Sequence, residues 1–149
     1  MKISGNVSAI LANKGSNYWA VSPDQTVFQA ISMMAEKNIG AVLVVRNERL
    51  IGILSERDYT RKVVLLGRAS KATRVEEIMA SQPITVTSRN SLDECMRIMT
   101  EHRIRHLPVV ENDQILGVVS IGDLVNWIIS AQSAAIDHLE GYISGKYPG

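Results

Sequence analysis

Residues Val21 to Val64 lie over Val86 to Ile129 without a gap, at an offset of about 65 positions. The shared identities include Val44/Val109, Val45/Val110, Asn47/Asn112, Gly52/Gly117, Ser55/Ser120 and Asp58/Asp123. Upstream, Val7-Ser8-Ala9-Ile10-Leu11 resembles Val75-Glu76-Glu77-Ile78-Met79, with a short insertion in the first copy. An internal repeat constrains a fold more than any single motif does: both copies must build the same unit. A unit of about 60 residues buries too little surface alone, so two of them are expected to cover each other's apolar faces about a pseudo-twofold axis.

The hydrophobic period changes in the same order within each copy. Val27, Ala30, Ile31 and Met34 recur at helical spacing, as do Leu92, Cys95, Met96 and Met99. Each helix is followed by two short β-rich runs, Ala41–Val45 with Leu50–Leu54 and His106–Val110 with Ile115–Val119. The turn residues Asn47 and Asn112-Asp113 separate the runs and predict hairpins. Ser55-Glu56-Arg57-Asp58 and Ser120-Ile121-Gly122-Asp123 then open a further helical stretch, giving a β-α-β-β-α unit. The tail is expected to be helical to about Ile129 and to resume through Ile136 to Ile143, before Gly145 and Pro148 end it. The resulting division is 1–66 for the first copy with its lead-in, 67–74 for a polar linker, and 75–149 for the second copy with its helical tail.

Composition narrows the function classes. The 149 residues, 46% hydrophobic, suffice for a sizeable core, and a net charge of +1 gives no bulk attraction for a polyanion. No nucleic-acid partner is expected. No apolar run approaches the roughly 20 residues of a membrane span, and the start Met1–Asn6 has no apolar signal region, so a cytoplasmic protein without a membrane partner is expected. The single cysteine, Cys95, lies on an apolar helix stripe and reads as a core residue. His102 and His106 have helical metal-ligand spacing, but His106 opens a predicted strand, so no metal site is assigned. Trp127, after the second Ser-x-x-Asp, is assigned to a subunit interface.

The two Gly-x-x-Ser-x-x-Asp stretches, Gly52–Asp58 and Gly117–Asp123, carry a resemblance to a known family. With Arg105-His106-Leu107-Pro108-Val109-Val110 and the Glu77-Ile78-Met79 before Pro83-Ile84-Thr85-Val86, the chain resembles a tandem CBS (cystathionine β-synthase) domain pair, or Bateman module. The likeness covers nearly the whole chain and looks like a stand-alone module. It implies an α/β fold of two β-α-β-β-α repeats, with sheets facing each other and helices outside. It also implies a regulatory, non-enzymatic role: binding adenosine-containing ligands such as AMP, ADP, ATP or NAD in clefts between the repeats, commonly as a homodimer acting on a partner. That partner is unknown.

Residue chemistry supports such ligands independently. An ionised carboxylate can accept from both hydroxyls of a ribose, and Asp58 and Asp123 supply one per repeat. Ser55 and Ser120 stand at helix starts, where unpaired N–H groups favour phosphate. Ser-x-x-Asp is equally a capping box, so spacing leaves both readings open. Carried over from the family, one cleft pairs Trp19, Ala20, Val21, Asn38, Ile39, Gly40 and Ala41 with Ser120, Gly122 and Asp123. The other pairs Pro83, Ile84, Thr85, Ile104, Arg105, His106 and Pro108 with Ser55, Arg57 and Asp58. Arg57, Arg61, Lys62, Arg105 and His106 make the second of these the more basic and the better phosphate site. Two alternatives remain: an interaction or dimerisation module whose serine and aspartate only cap helices, and a small nucleotide hydrolase.

Overall fold

A computed structural model describes residues 3–143. Met1, Lys2 and positions 144–149, which include the helix-ending Gly145 and Pro148, lie outside the described residues. The first copy contributes α1 (Val7–Lys14), β1 (Ala20–Val21), α2 (Val27–Lys37), β2 (Ala41–Arg46), β3 (Arg49–Ser55) and α3 (Glu56–Tyr59). A π-helical turn, Thr60–Val64, continues α3. The second copy contributes α4 (Val75–Ile78), β4 (Ala80–Ser81), α5 (Leu92–His102), β5 (His106–Glu111), β6 (Gln114–Ser120) and α6 (Ile121–Ile143).

Local chemistry explains the matched elements. Thr26 and Ser91 cap α2 and α5 through reciprocal capping boxes with Gln29 and Glu94, and both helices end on left-handed residues, Asn38 and Arg103. The hairpin turns Asn47-Glu48 and Asn112-Asp113 hold all four residues at positive φ, the two-residue geometry that matches strand twist. Both hairpins carry the same irregularity, a register shift between Val44 and Val45 and between Val109 and Val110. The tail differs from expectation. α6 runs unbroken for 23 residues, because Ser130–Ala135 contains neither proline nor glycine to interrupt it.

The two cores do not follow the sequence order. Val7 and Ile10 of α1 pack with Val86, Leu92, Cys95, Met99, Leu107, Val109, Val119 and Leu124 of the second copy. Conversely, Val75 and Ile78 of α4 pack with Val21, Val27, Ala30, Val42, Val44 and Leu54 of the first. The lead-in helices are thus exchanged between the repeats. Strand pairing repeats the exchange, since β4 adds to β3 and completes a four-stranded sheet in the order β1-β2-β3-β4. β5 and β6 form the second sheet, beside which Val86 bridges Val109 in parallel.

The exchanged lead-in segments pack directly against the repeated glycines. A Cβ on Gly52 would stand 2.6 Å from Met79 Sδ and 3.0 Å from the Ala80 carbonyl oxygen, and one on Gly117 would stand 2.9 Å from Leu11 Cδ2. Gly52→Val is therefore expected to cost about 1–3 kcal/mol by forcing β4 away from β3. A denaturant titration reads this directly, and an unchanged midpoint would contradict the packing described.

These positions also decide which apolar side chains are free to meet another molecule, and they correct the assignment of Trp127 to a subunit interface. Met34 and Val63 belong to the first core and offer no outer surface, because α2 and the π-helical turn face inward there. Val64, Leu65 and Leu66 are exposed. Trp127 is half-buried within its own chain: its Nε1 donates to the Ser4 carbonyl at 2.8 Å and its ring covers Gly5, so it anchors the lead-in segment.

Candidate functional site

The two Ser-x-x-Asp turns form by the same local chemistry. At the first, the Ser55 N–H and O–H both donate to Asp58 Oδ2 at 3.0 Å, while the Asp58 N–H donates to Ser55 Oγ at 3.2 Å. At the second, the Ser120 N–H donates to Asp123 Oδ2 at 2.8 Å and the Asp123 N–H to Ser120 Oγ at 3.1 Å. Both are capping boxes, so the serine hydroxyls already serve N–H groups that the sequence reading left unpaired. α3 has only four residues, too short to contribute much of a helix dipole.

Between the repeats lies a cavity of about 410 Å³ that gathers residues distant in sequence. Ser55, Glu56, Arg57 and Asp58 enter from the first copy; Pro83, Ile84, Ile104, Arg105 and His106 enter from the second. Exchange of the lead-in segment builds this wall, since β4 on the edge of β3 carries Ala80 and Ser81 into it beside Ile53. Across its mouth the Arg57 guanidinium donates to the Arg103 carbonyl at 2.7 Å, tying α3 to the left-handed end of α5. Volume and mixed lining match a small-molecule cleft of roughly 300–1,000 Å³.

Some predicted site residues lie elsewhere. Thr85 is exposed and Pro108 is buried in β5, neither lining the cavity. Arg61 is exposed on the π-helical turn. Lys62 turns toward α4, donating to the Ile78 carbonyl at 3.0 Å with its ammonium 3.3 Å from Asp58 Oδ1.

For the cleft read around Asp123, the placement is different. Val21 is in the first core, Ala20 is in β1, and Trp19 is exposed beneath the Lys37 ammonium, 4.3 Å from the ring centroid. Asn38 is the left-handed cap of α2, Ile39 packs on the first core, and Ala41 pairs with Ser55 in its own hairpin. Gly40, read as facing Asp123, lines the Asp58 cavity, where a Cβ would stand 3.3 Å from the His106 ring. Gly122 is exposed near Ser120 Oγ. Asp123 itself lines a larger groove of about 720 Å³ between α1 and α6, with Lys14, Asn13, Asn126 and Trp127. The sequence reading missed Lys14, whose ammonium lies 2.6 Å from Asp123 Oδ2. It also missed Glu56, Ser81, Gln82 and Arg103 of the Asp58 cavity.

His106 contributes less charge than its place in the basic cluster suggested. Burial pulls its pKa below the ordinary 6.5; Asp123 opposes this, while Lys14 and Arg105 reinforce it. The ring is therefore largely neutral at pH 7, and the cavity's permanent cations are Arg57, Arg103 and Arg105. Between its folded and unfolded pKa values the unfolded chain binds more protons, so stability is full above 6.5 and declines as the pH falls below it. A melting series from about pH 8 to about pH 5 should show this decline in the parent protein and flatten it in His106→Asn. Identical profiles would remove His106 as its source.

Cys95 is buried in the second core, and desolvation pushes its thiol up to about 11, which makes it inert at neutral pH. Among the described residues no helix is long and apolar enough to cross a membrane.

Comparison with known proteins converges on the same features. The CBS domain profile matches twice, over residues 9–65 and 75–130. The mitochondrial CBS domain-containing protein CBSX3 of Arabidopsis thaliana is 37% identical over 154 aligned positions, covering 97% of this chain and 74% of that protein. A protein with CBS domains from Burkholderia ambifaria MC40-6, solved structurally, is 50% identical with a TM-score of 0.83, covering 86% of this chain and 96% of that one. The CBS domain pair of protein MJ0100, solved with 5′-methylthioadenosine and S-adenosyl-L-methionine, superposes with a TM-score of 0.74 at 21% identity. It covers 83% of this chain and 99% of that one, a likeness of fold alone.

Proposed function

The chain belongs to the CBS domain family as a tandem pair, a regulatory module, and we propose that it senses an adenosine-containing nucleotide in the cavity between its repeats. The observation that carries this reading is the Asp58 cavity, built jointly by both repeats. A ligand held there contacts Ile53 and residues 55–58 and 80–84 on one side and 103–106 on the other. Its binding free energy therefore favours one relative arrangement of the two units. Asp58 would accept from the ribose hydroxyls, and Arg57 and Arg105 would face the phosphates of AMP, ATP or NAD. The fold neighbour solved with two adenosine compounds supports that ligand class.

Self-association extends the same reading. Val125, Ile129, Ile136 and Leu139 form an exposed apolar stripe along α6, and Val64–Leu66 form another on the first copy. Both would be covered in a homodimer, which gives a partner protein a surface whose shape the ligand sets.

The closed capping boxes favour a second reading, in which Ser55, Asp58, Ser120 and Asp123 only terminate helices and the module acts by protein contact. Thermal shift with AMP, ATP and NAD at millimolar concentration separates the two. A rise in melting temperature with at least one of them supports the sensor; no shift with any of them supports the interaction module.

A further inference from the structure

The two Ser-x-x-Asp turns match in sequence and in capping, but not in what grips their carboxylates. Asp58 is approached by Lys62 of its own helical stretch, one turn on, at 3.3 Å. Asp123 is gripped from outside its repeat: Lys14, in the last turn of α1, places its ammonium 2.6 Å from Oδ2. The same ammonium donates to the Val118 carbonyl at 2.8 Å. Val118 is the counterpart of Ile53, and Ile53 lies opposite Ala80 in the β3–β4 pairing. β6 has β5 as its sheet partner, so a lysine side chain serves the backbone on the flank where its counterpart carries a strand.

We propose that Lys14 is a specificity-determining residue that makes the two clefts unequal, holding one oxygen of the Asp123 carboxylate, Oδ2, that a ribose would need. The inference rests on the reading of these aspartates as ribose acceptors. Asp123 Oδ2 already receives the Ser120 N–H and the Lys14 ammonium. A ribose must displace a charge-assisted hydrogen bond there, whereas at Asp58 the competing ammonium, bonded like that of Lys14 to a backbone carbonyl, stands 3.3 Å from Oδ1 as an ion pair. The Lys14 contact is partly solvent-exposed, so solvent screens it and the handicap is modest, about tenfold in affinity. An adenosine nucleotide accordingly fills the Asp58 cleft first.

Calorimetry with AMP on the full chain tests this, using Lys14→Met and Lys14→Gln. Glutamine keeps a donor for the Val118 carbonyl while removing the charge. The expected result is one tight site in the parent protein and, in both variants, a second site strengthened about tenfold. Asp58→Ala combined with Lys14→Gln should retain that second site. A purely structural lysine would give weaker binding or a less stable fold, never a gain. Two equal sites in the parent, or a second site that the variants leave unchanged, would overturn the role of Lys14 while leaving the sensor reading intact. No AMP binding in any of the proteins would overturn both.

Discussion

Asp58→Ala is expected to lower AMP affinity at the inter-repeat cavity by at least about a hundredfold, because two charge-assisted hydrogen bonds to ribose, each worth about 1.5–3 kcal/mol, are lost together. Alanine also removes the Ser55 N–H acceptor and weakens the cap of α3, so binding loss alone would not separate recognition from folding. Asp58→Asn does. Its amide oxygen can still accept from the Ser55 N–H, while its side chain loses the charge and one acceptor. Melting should stay close to the parent, and AMP titration should show most of the loss. Affinity within about threefold of the parent in Asp58→Asn would sink the ribose assignment.

Leu54→Ala and Leu107→Ala are expected to cost about 2–5 kcal/mol each, since both leucines are fully buried at the centres of the two cores. Leu65→Ala, at a side chain 72% exposed, should change stability little. Lead-in exchange sharpens the prediction. Val7 and Ile10 tie the start of the chain to the second core, and Val75 and Ile78 tie the second repeat to the first. Neither core can come apart without stripping a helix from the other repeat. Both substitutions should therefore move one shared unfolding transition, read by urea titration with circular dichroism and tryptophan fluorescence together. Two separated transitions would show that the repeats unfold independently.

Much of this architecture was legible because it is local. The period of Val27, Ala30 and Met34 and of Leu92, Cys95 and Met99 marked the buried faces of α2 and α5, and the paired β-runs with their asparagine turns marked both hairpins. Periodicity reports which face of an element is apolar but not which sheet it meets, so the exchange of α1 and α4 was hidden. The identity of Gly52 and Gly117 was visible; its cause, the side chains of Met79 and Leu11 lying over them, needed the fold. At the site, the Ser-x-x-Asp repeat drew attention to Asp58 and Asp123 because two equal spacings coincide. Lys14 carried no such signal, standing alone at a helix end 109 residues from Asp123. Arg103, Ser81 and Gln82 reach the cavity through backbone geometry, a left-handed cap and an edge strand, which composition does not encode.

A crystal structure of the protein grown with AMP tests the central claim most directly. Nucleotide density is expected in the cavity between the repeats, with both ribose hydroxyls on the Asp58 carboxylate and the phosphate toward Arg57 or Arg105. AMP bound elsewhere, or a cavity that stays empty at saturating AMP, would contradict it.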